Sequence, residues 1–125
     1  MRLLTAGVGA ALVLMAVRMP VQAQVRPATE KQKIEALIRH VEGMKDAKFV
    51  RNGMEYDAKT AARFLQGKWD AGAAGIKTAK DFIEKAGSVS TTTGRPYLIR
   101  LKSGKEMKSG EYLLAELQKL EKPSR

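Results

Sequence analysis

Between Phe49 and Tyr56 the chain reads FVRNGMEY, and the Asn52-Gly53 pair at its middle constrains the fold more than any other feature. A two-residue hairpin turn of type I′ needs positive φ at both central residues, a geometry that Asn and Gly tolerate best. Such a turn also fixes the register of the strands on either side of it. Arg51 should then face Met54, Val50 should face Glu55, Phe49 should face Tyr56, and Lys48 should face Asp57. Because cross-strand partners share a face, Phe49, Arg51, Met54 and Tyr56 are predicted on one side, with Val50 and Glu55 on the other.

A second stretch, LIRLKSGKEM from Leu98 to Met107, repeats the theme. Tyr97 to Leu101 is predicted as a strand with apolar residues on both faces, which places it centrally in a sheet. Ser103-Gly104 turns the chain, and Glu106 to Lys108 returns it. Helical patterns flank both hairpins. Thr29 and Gln32 have the spacing of a capping box, and Ile34, Leu37, Ile38 and Val41 then recur at helical intervals, so a first helix is expected from Glu30 to Glu42, stopped by Gly43. Asp57 is placed to cap a second helix whose apolar stripe is Ala58, Ala61, Ala62, Leu65 and Trp69. Asp70 to Gly75 reads as a glycine-rich break. Thr78 with Asp81 opens a short third helix through Phe82 and Ile83, closed by Gly87, and Ser109 is expected to cap a last helix carrying Leu113, Leu114, Leu117 and Leu120.

These elements predict an α+β fold in which two helix–hairpin–helix units share one core. The second unit reads as a diverged copy of the first, a pseudo-repeat that matches Arg51 with Arg100 and Glu55 with Glu106. The single domain spans residues 30–121, behind a flexible lead at 24–29 and ahead of a charged, frayed tail at 122–125.

What precedes the domain predicts where the protein goes. The start, MRLLTAGVGAALVLMAVRMPVQAQ, combines Arg2, an apolar run from Leu3 to Val17, and small residues toward Ala23. That is the pattern of a secretory signal peptide over residues 1–23, cut after Ala23. The apolar run is shorter than the roughly 20 residues that span a bilayer, so no transmembrane segment is expected after cleavage and the product is periplasmic or secreted. Removing 23 of 125 residues leaves 102, enough for one core but not two. Without Arg2 and Arg18 the net charge falls from +10 to +8, a balance that suits either an anionic partner or plain solubility. No cysteine is present, so packing alone must hold the fold.

Motifs that carry chemistry are scarce. His40 is the lone histidine and sits off the apolar stripe of its helix, so neither a metal site nor a cofactor is expected, and His40 reads as a surface residue. No hydroxyl has a histidine beside it to activate it, nothing in the spacing of Lys77 or Lys80 requires either to serve as a base, and no catalytic residue is assigned. The distinctive polar segment is the loop from Ser88 to Tyr97. Its hydroxyls, the backbone around Gly94, and Arg95 suit a phosphate, a carboxylate or a sugar. The competing reading is that these Ser and Thr side chains satisfy their own backbone. The candidate binding set is Arg51, Asn52, Ser90, Thr93, Gly94, Arg95, Tyr97 and Arg100. Arg51, Glu55, Arg100 and Glu106 are also candidates for a structural ion-pair network. One Trp, three Tyr and three Phe are too few for a base-stacking platform, and the basic residues are not clustered, so specific nucleic-acid binding is not expected.

The segments FVRNGMEYDAKTAARFLQGKW, IKTAKDFIEKAGSVSTTTGRPYLIR and SGEYLLAELQKL together resemble the YfeK-like family of small exported bacterial proteins, a domain of unknown function. The resemblance runs from about Ile34 to Leu120. It implies export and a compact domain, and it brings no activity with it. It also brings no disulfide, since Lys48 and Leu101 stand near the positions where some relatives carry cysteine. Two functions remain from the sequence. One is a non-enzymatic module that binds an anionic cell-envelope component or an envelope protein, with Arg51 and Arg100 sharing an edge beside the loop. The other is a small envelope hydrolase or transferase assembled around Ser88–Tyr97.

Overall fold

The computed structural model describes residues 28–122. The signal-peptide reading of residues 1–23, the first four residues of the lead and the last three residues of the tail lie outside the described residues. Among those described, four α-helices and a four-stranded antiparallel sheet alternate along the chain: α1 (Glu30–Glu42), β1 (Lys48–Arg51), β2 (Met54–Tyr56), α2 (Ala58–Gly72), α3 (Ala79–Phe82), β3 (Leu98–Arg100), β4 (Glu106–Lys108) and α4 (Ser109–Glu121). This is an α+β architecture. No helix among the described residues is long and apolar enough to cross a membrane.

The local signals act as their chemistry requires. The Thr29 hydroxyl accepts from the Gln32 N–H while the Gln32 side chain accepts from the Thr29 N–H, closing the capping box on α1. Asp57 Oδ1 accepts from the Thr60 N–H at 2.8 Å and caps α2. Thr78 and Asp81 form a second capping box on α3. Several boundaries differ from expectation, and the strand expected over Tyr97 to Leu101 is confined to Leu98–Arg100. The run from Asp70 to Gly72 stays helical, and the chain then tightens into a 3₁₀ turn over Ala73–Gly75, because a single glycine weakens a helix without ending it. Ser109 is the first residue of α4 and is buried, and Lys108 caps the helix with its backbone alone.

The sheet order is β2-β1-β3-β4, so the two hairpins lie side by side with their first strands central. Asn52 and Gly53 have φ of 50° and 82°, and the register Arg51↔Met54, Val50↔Glu55, Phe49↔Tyr56 follows. The second hairpin turns differently. The Gly104 N–H donates to Leu101 O, the Leu101 N–H donates to Lys105 O, and Gly104 has φ 93°. This is a three-residue loop ending in a left-handed bulge. At the seam between the hairpins Lys48 faces Arg100, Phe49 faces Ile99 and Val50 faces Leu98. Each edge strand is only three residues long, which limits edge-to-edge pairing.

Phe49 and Ile99 project from the middle of the sheet into a core with Ile34, Leu37, Val41, Phe82, Ile83 and Leu113. Behind α3 the chain widens into a π turn at Ile83–Gly87, where the Ser88 hydroxyl donates to Ile83 O at 2.6 Å. Here α4 comes very close. A Cβ on Gly87 would lie 2.8 Å from Leu113 Cδ1, and one on Gly110 would lie 2.5 Å from Ser88 Oγ. The helix starts are also cross-linked: Glu30 Oε1 accepts from the Ala79 N–H at 2.8 Å, and that bond, with the Lys33 ammonium second, holds the Glu30 carboxyl below its ordinary pKa.

Candidate functional site

The Asn52-Gly53 turn and the Ser88–Tyr97 loop form one structure. Val89 bridges Pro96, the Ser90 N–H donates to Arg95 O at 2.9 Å, and the Gly94 N–H donates to Ser90 O at 2.8 Å. Ser90 is 3 % exposed, and its hydroxyl accepts from the N–H groups of Thr92 and Thr93. Asn52 then ties this knot to the hairpin: its amide donates to Ser90 Oγ at 3.4 Å, and its carbonyl accepts from Thr93 Oγ1 at 2.7 Å. Thr93 Oγ1 also accepts from the Arg95 N–H. These hydroxyls are therefore spent on the loop's own geometry. The Arg95 side chain and most of the outer loop, by contrast, are exposed.

Asn52→Gly keeps the positive φ of the turn and deletes the tether. The hairpin should persist while amide exchange at residues 92–95 speeds up by about tenfold, the scale set by one or two hydrogen bonds. Exchange measured by mass spectrometry or NMR decides it, and unchanged protection would mean that the loop holds itself.

Arg51 stands beside this knot with no carboxylate partner among the described residues. Its guanidinium lies 4.5 Å from the centroid of Phe64 and 6.0 Å from that of Tyr56. Lys68, one helical turn beyond Phe64, lies 5.4 Å from the same Phe64 ring and 5.2 Å from the ring of Tyr97, and donates to the Tyr97 hydroxyl at 3.1 Å. Phe64 and Tyr97 meet edge to face at 5.7 Å. Cations over aromatic faces are attracted to the ring quadrupole, so both side chains are held in place without being neutralised. Beside Arg51 is a cavity of about 100 Å³ bounded by Phe49, Arg51, Tyr56, Phe64, Leu65 and Tyr97, among others.

Arg100 lies elsewhere, and the expectation that it shares an edge with Arg51 is corrected by the register. Arg100 is opposite Lys48, at the far end of β1 from Arg51. It also shares its face with Val50 and Glu55, the face turned away from Phe49 and Arg51. Arg100 donates to Glu55 across β1 and to Glu106 on the neighbouring strand, the latter at 3.2 and 3.3 Å. Glu55 first, and Glu106 after it, raise the Arg100 pKa. Arg51 takes no part in this network. The one-to-one match of Arg51 with Arg100 fails by a single position, since Phe49 faces Ile99 and the residue after Ile99 corresponds to Val50. All three charged groups of the network are exposed, so it adds little to stability.

Phe64, Lys68 and Tyr56 carry the site and are absent from the candidate binding set, although Tyr56 is expected on the same face as Arg51. Their signal was available: Phe64 and Lys68 are spaced i,i+4 on α2, off the alanine stripe. His40 is exposed, but its Nε2 lies 2.7 Å from the Tyr112 hydroxyl and 3.7 Å from Glu116, which joins α1 to α4. Among the described residues no three His, Cys, Asp or Glu side chains come together as a metal would require.

Comparison with known proteins adds a family but no chemistry. A family model described as a family of unknown function, DUF5329, matches residues 28–121. An uncharacterized protein, YfeK, from Salmonella typhimurium strain LT2 is 36% identical over 87 residues, covering 70% of this chain and 72% of that protein. No solved structure matches.

Proposed function

Because the chain belongs to the DUF5329 family of unknown function, its activity has to be argued from its own residues, and we propose a non-enzymatic binding module that engages an anionic component of the cell envelope. In this reading the protein works in the periplasm or outside the cell, after cleavage behind Ala23. The binding end is the one formed by Arg51, the Asn52 turn and the docked loop through Arg95. The observation that carries it is the pair of half-buried cations, Arg51 and Lys68, that sit on the rings of Tyr56, Phe64 and Tyr97 and not against a carboxylate. A guanidinium held by rings keeps its donors available for an incoming anion.

The competing reading, a hydrolase or transferase built on the loop, has less support. Ser88, Ser90 and Thr93 already have their hydroxyls engaged, and Glu55 and Glu106 converge on Arg100 rather than on open space.

Protein purified after export of the full-length chain should co-sediment with an envelope fraction at low salt and dissociate as salt screens the contact. Arg51→Ala should reduce retention severalfold, while Arg100→Ala, on the other face, should leave it unchanged. Equal retention of the two variants would refute this reading, as would recovery of the protein in the cytosolic fraction.

A further inference from the structure

The cavity under Arg51 is shaped for something smaller than an envelope polymer. We propose that it is a subsite for a small free carboxylic acid bearing one branched-alkyl or single-ring group, with the apolar group entering between Phe64 and Tyr56 and the carboxylate meeting Arg51 and Lys68. This deepens the reading above and rests on it for which end of the molecule binds.

Size is the first argument. A space of about 100 Å³ is smaller than the roughly 150 Å³ cavity that takes up benzene, so it holds a few methylenes or one ring that stays partly outside, and not a long acyl chain. The second argument is the lining. Phe49, Tyr56, Phe64, Leu65 and Tyr97 present ring and alkyl surface, and a lining of this kind favours an apolar guest. Charge complementarity is the third. Two cations at the same rings, 4.5 and 5.4 Å from the Phe64 centroid, meet no carboxylate among the described residues; Arg51 is part of the cavity wall, and Lys68 stands just outside it against Phe64 and Tyr97, two of its rings. Their positions are fixed before binding, Arg51 by Phe64 and Tyr56, Lys68 by its 3.1 Å bond to Tyr97, so a carboxylate would find donors already oriented. A peptide ending in an apolar residue offers the same head and side chain. It is disfavoured here because the neighbouring sheet edge, β2, is three residues long and gives an extended backbone little to pair with.

Calorimetric or NMR titration of the purified full-length-derived protein with phenylacetate tests the proposal. Binding should shift the Phe64 and Tyr97 ring resonances, weaken about tenfold or more in Arg51→Gln or Lys68→Gln, as loss of a charged hydrogen bond implies, and vanish in Ala61→Leu, which fills the cavity. Arg100→Ala should bind normally. A melting curve on each variant separates lost binding from lost folding, and the two charge variants carry the test if Ala61→Leu does not fold. Equal binding of 2-phenylethanol would overturn the carboxylate role. Binding of a Phe-terminated peptide without binding of phenylacetate would overturn the free acid in favour of a chain terminus. No binding by any probe would overturn the subsite. Failure here with Arg51-dependent envelope retention intact removes only the subsite, whereas phenylacetate binding without envelope retention removes the envelope partner.

Discussion

Phe82→Ala is expected to cost about 4 kcal/mol of folding stability, the upper range for deleting a buried aromatic ring. Phe82 is fully buried and is the largest such side chain in the molecule's described part. It closes α3 where that helix gives way to the π turn and meets Trp69 edge to face at 6.2 Å. Truncation therefore removes the transfer energy of a ring, leaves a cavity between α2 and α3, and strips Trp69 of its partner. A domain of this size has a total of about 5–15 kcal/mol to lose, so the variant should be marginal. Urea unfolding of the purified protein is the measurement: the midpoint should fall sharply with little change in slope. Phe82→Leu, which keeps most of the volume, should recover over half of the loss. A cost below about 1 kcal/mol for the alanine variant would mean that the core around α3 collapses around the gap instead of preserving it.

Gly110→Ala should be the second most damaging change, and for the opposite reason. In an isolated helix this substitution is favourable by about 1 kcal/mol. Here the new methyl would lie 2.5 Å from Ser88 Oγ and 3.2 Å from Ser88 Cβ. The serine hydroxyl cannot simply swing aside, because it donates to Ile83 O inside the π turn, and moving it leaves a backbone carbonyl without that partner. Overpacking at a fixed contact costs about 1–3 kcal/mol, and the expected net loss is about 2 kcal/mol by the same denaturation assay. The double variant Gly110→Ala with Ser88→Gly removes both colliding atoms. It should recover part of the loss, and purely additive effects would show that the close approach is not the cause.

The parts legible in the sequence were those whose cause is local. The capping boxes at Thr29 and Thr78, the Asp57 cap and the first-hairpin register are each set by residues within four positions of one another, and each forms as its chemistry predicts. The second hairpin was misjudged because its turn carries three residues and a left-handed Gly104, where the first carries two. That difference displaces Arg100 by one position relative to Arg51. One position in a strand means the other face, and antiparallel pairing of β1 with β3 then sends the two arginines to opposite ends. No pattern in the sequence fixes how two hairpins meet. The docking of the loop on Asn52 was hidden for a related reason, since both partners look like self-sufficient turns until the chain brings them together. Phe64 and Lys68 carry no polar-cluster signature in the sequence, because the cations are held by rings that only the fold brings together.

The seam where Phe49 meets Ile99 has a consequence for how the protein acquires its shape. The two central strands come from opposite halves of the chain, and each hairpin alone is a two-stranded ribbon, which is marginal in water. Neither half should persist until the other arrives, so the rate of folding should be governed by this distant encounter rather than by the helices, which form early and locally. A substitution that weakens the seam should slow refolding as well as hasten unfolding, whereas one in the outer strands should act chiefly on unfolding.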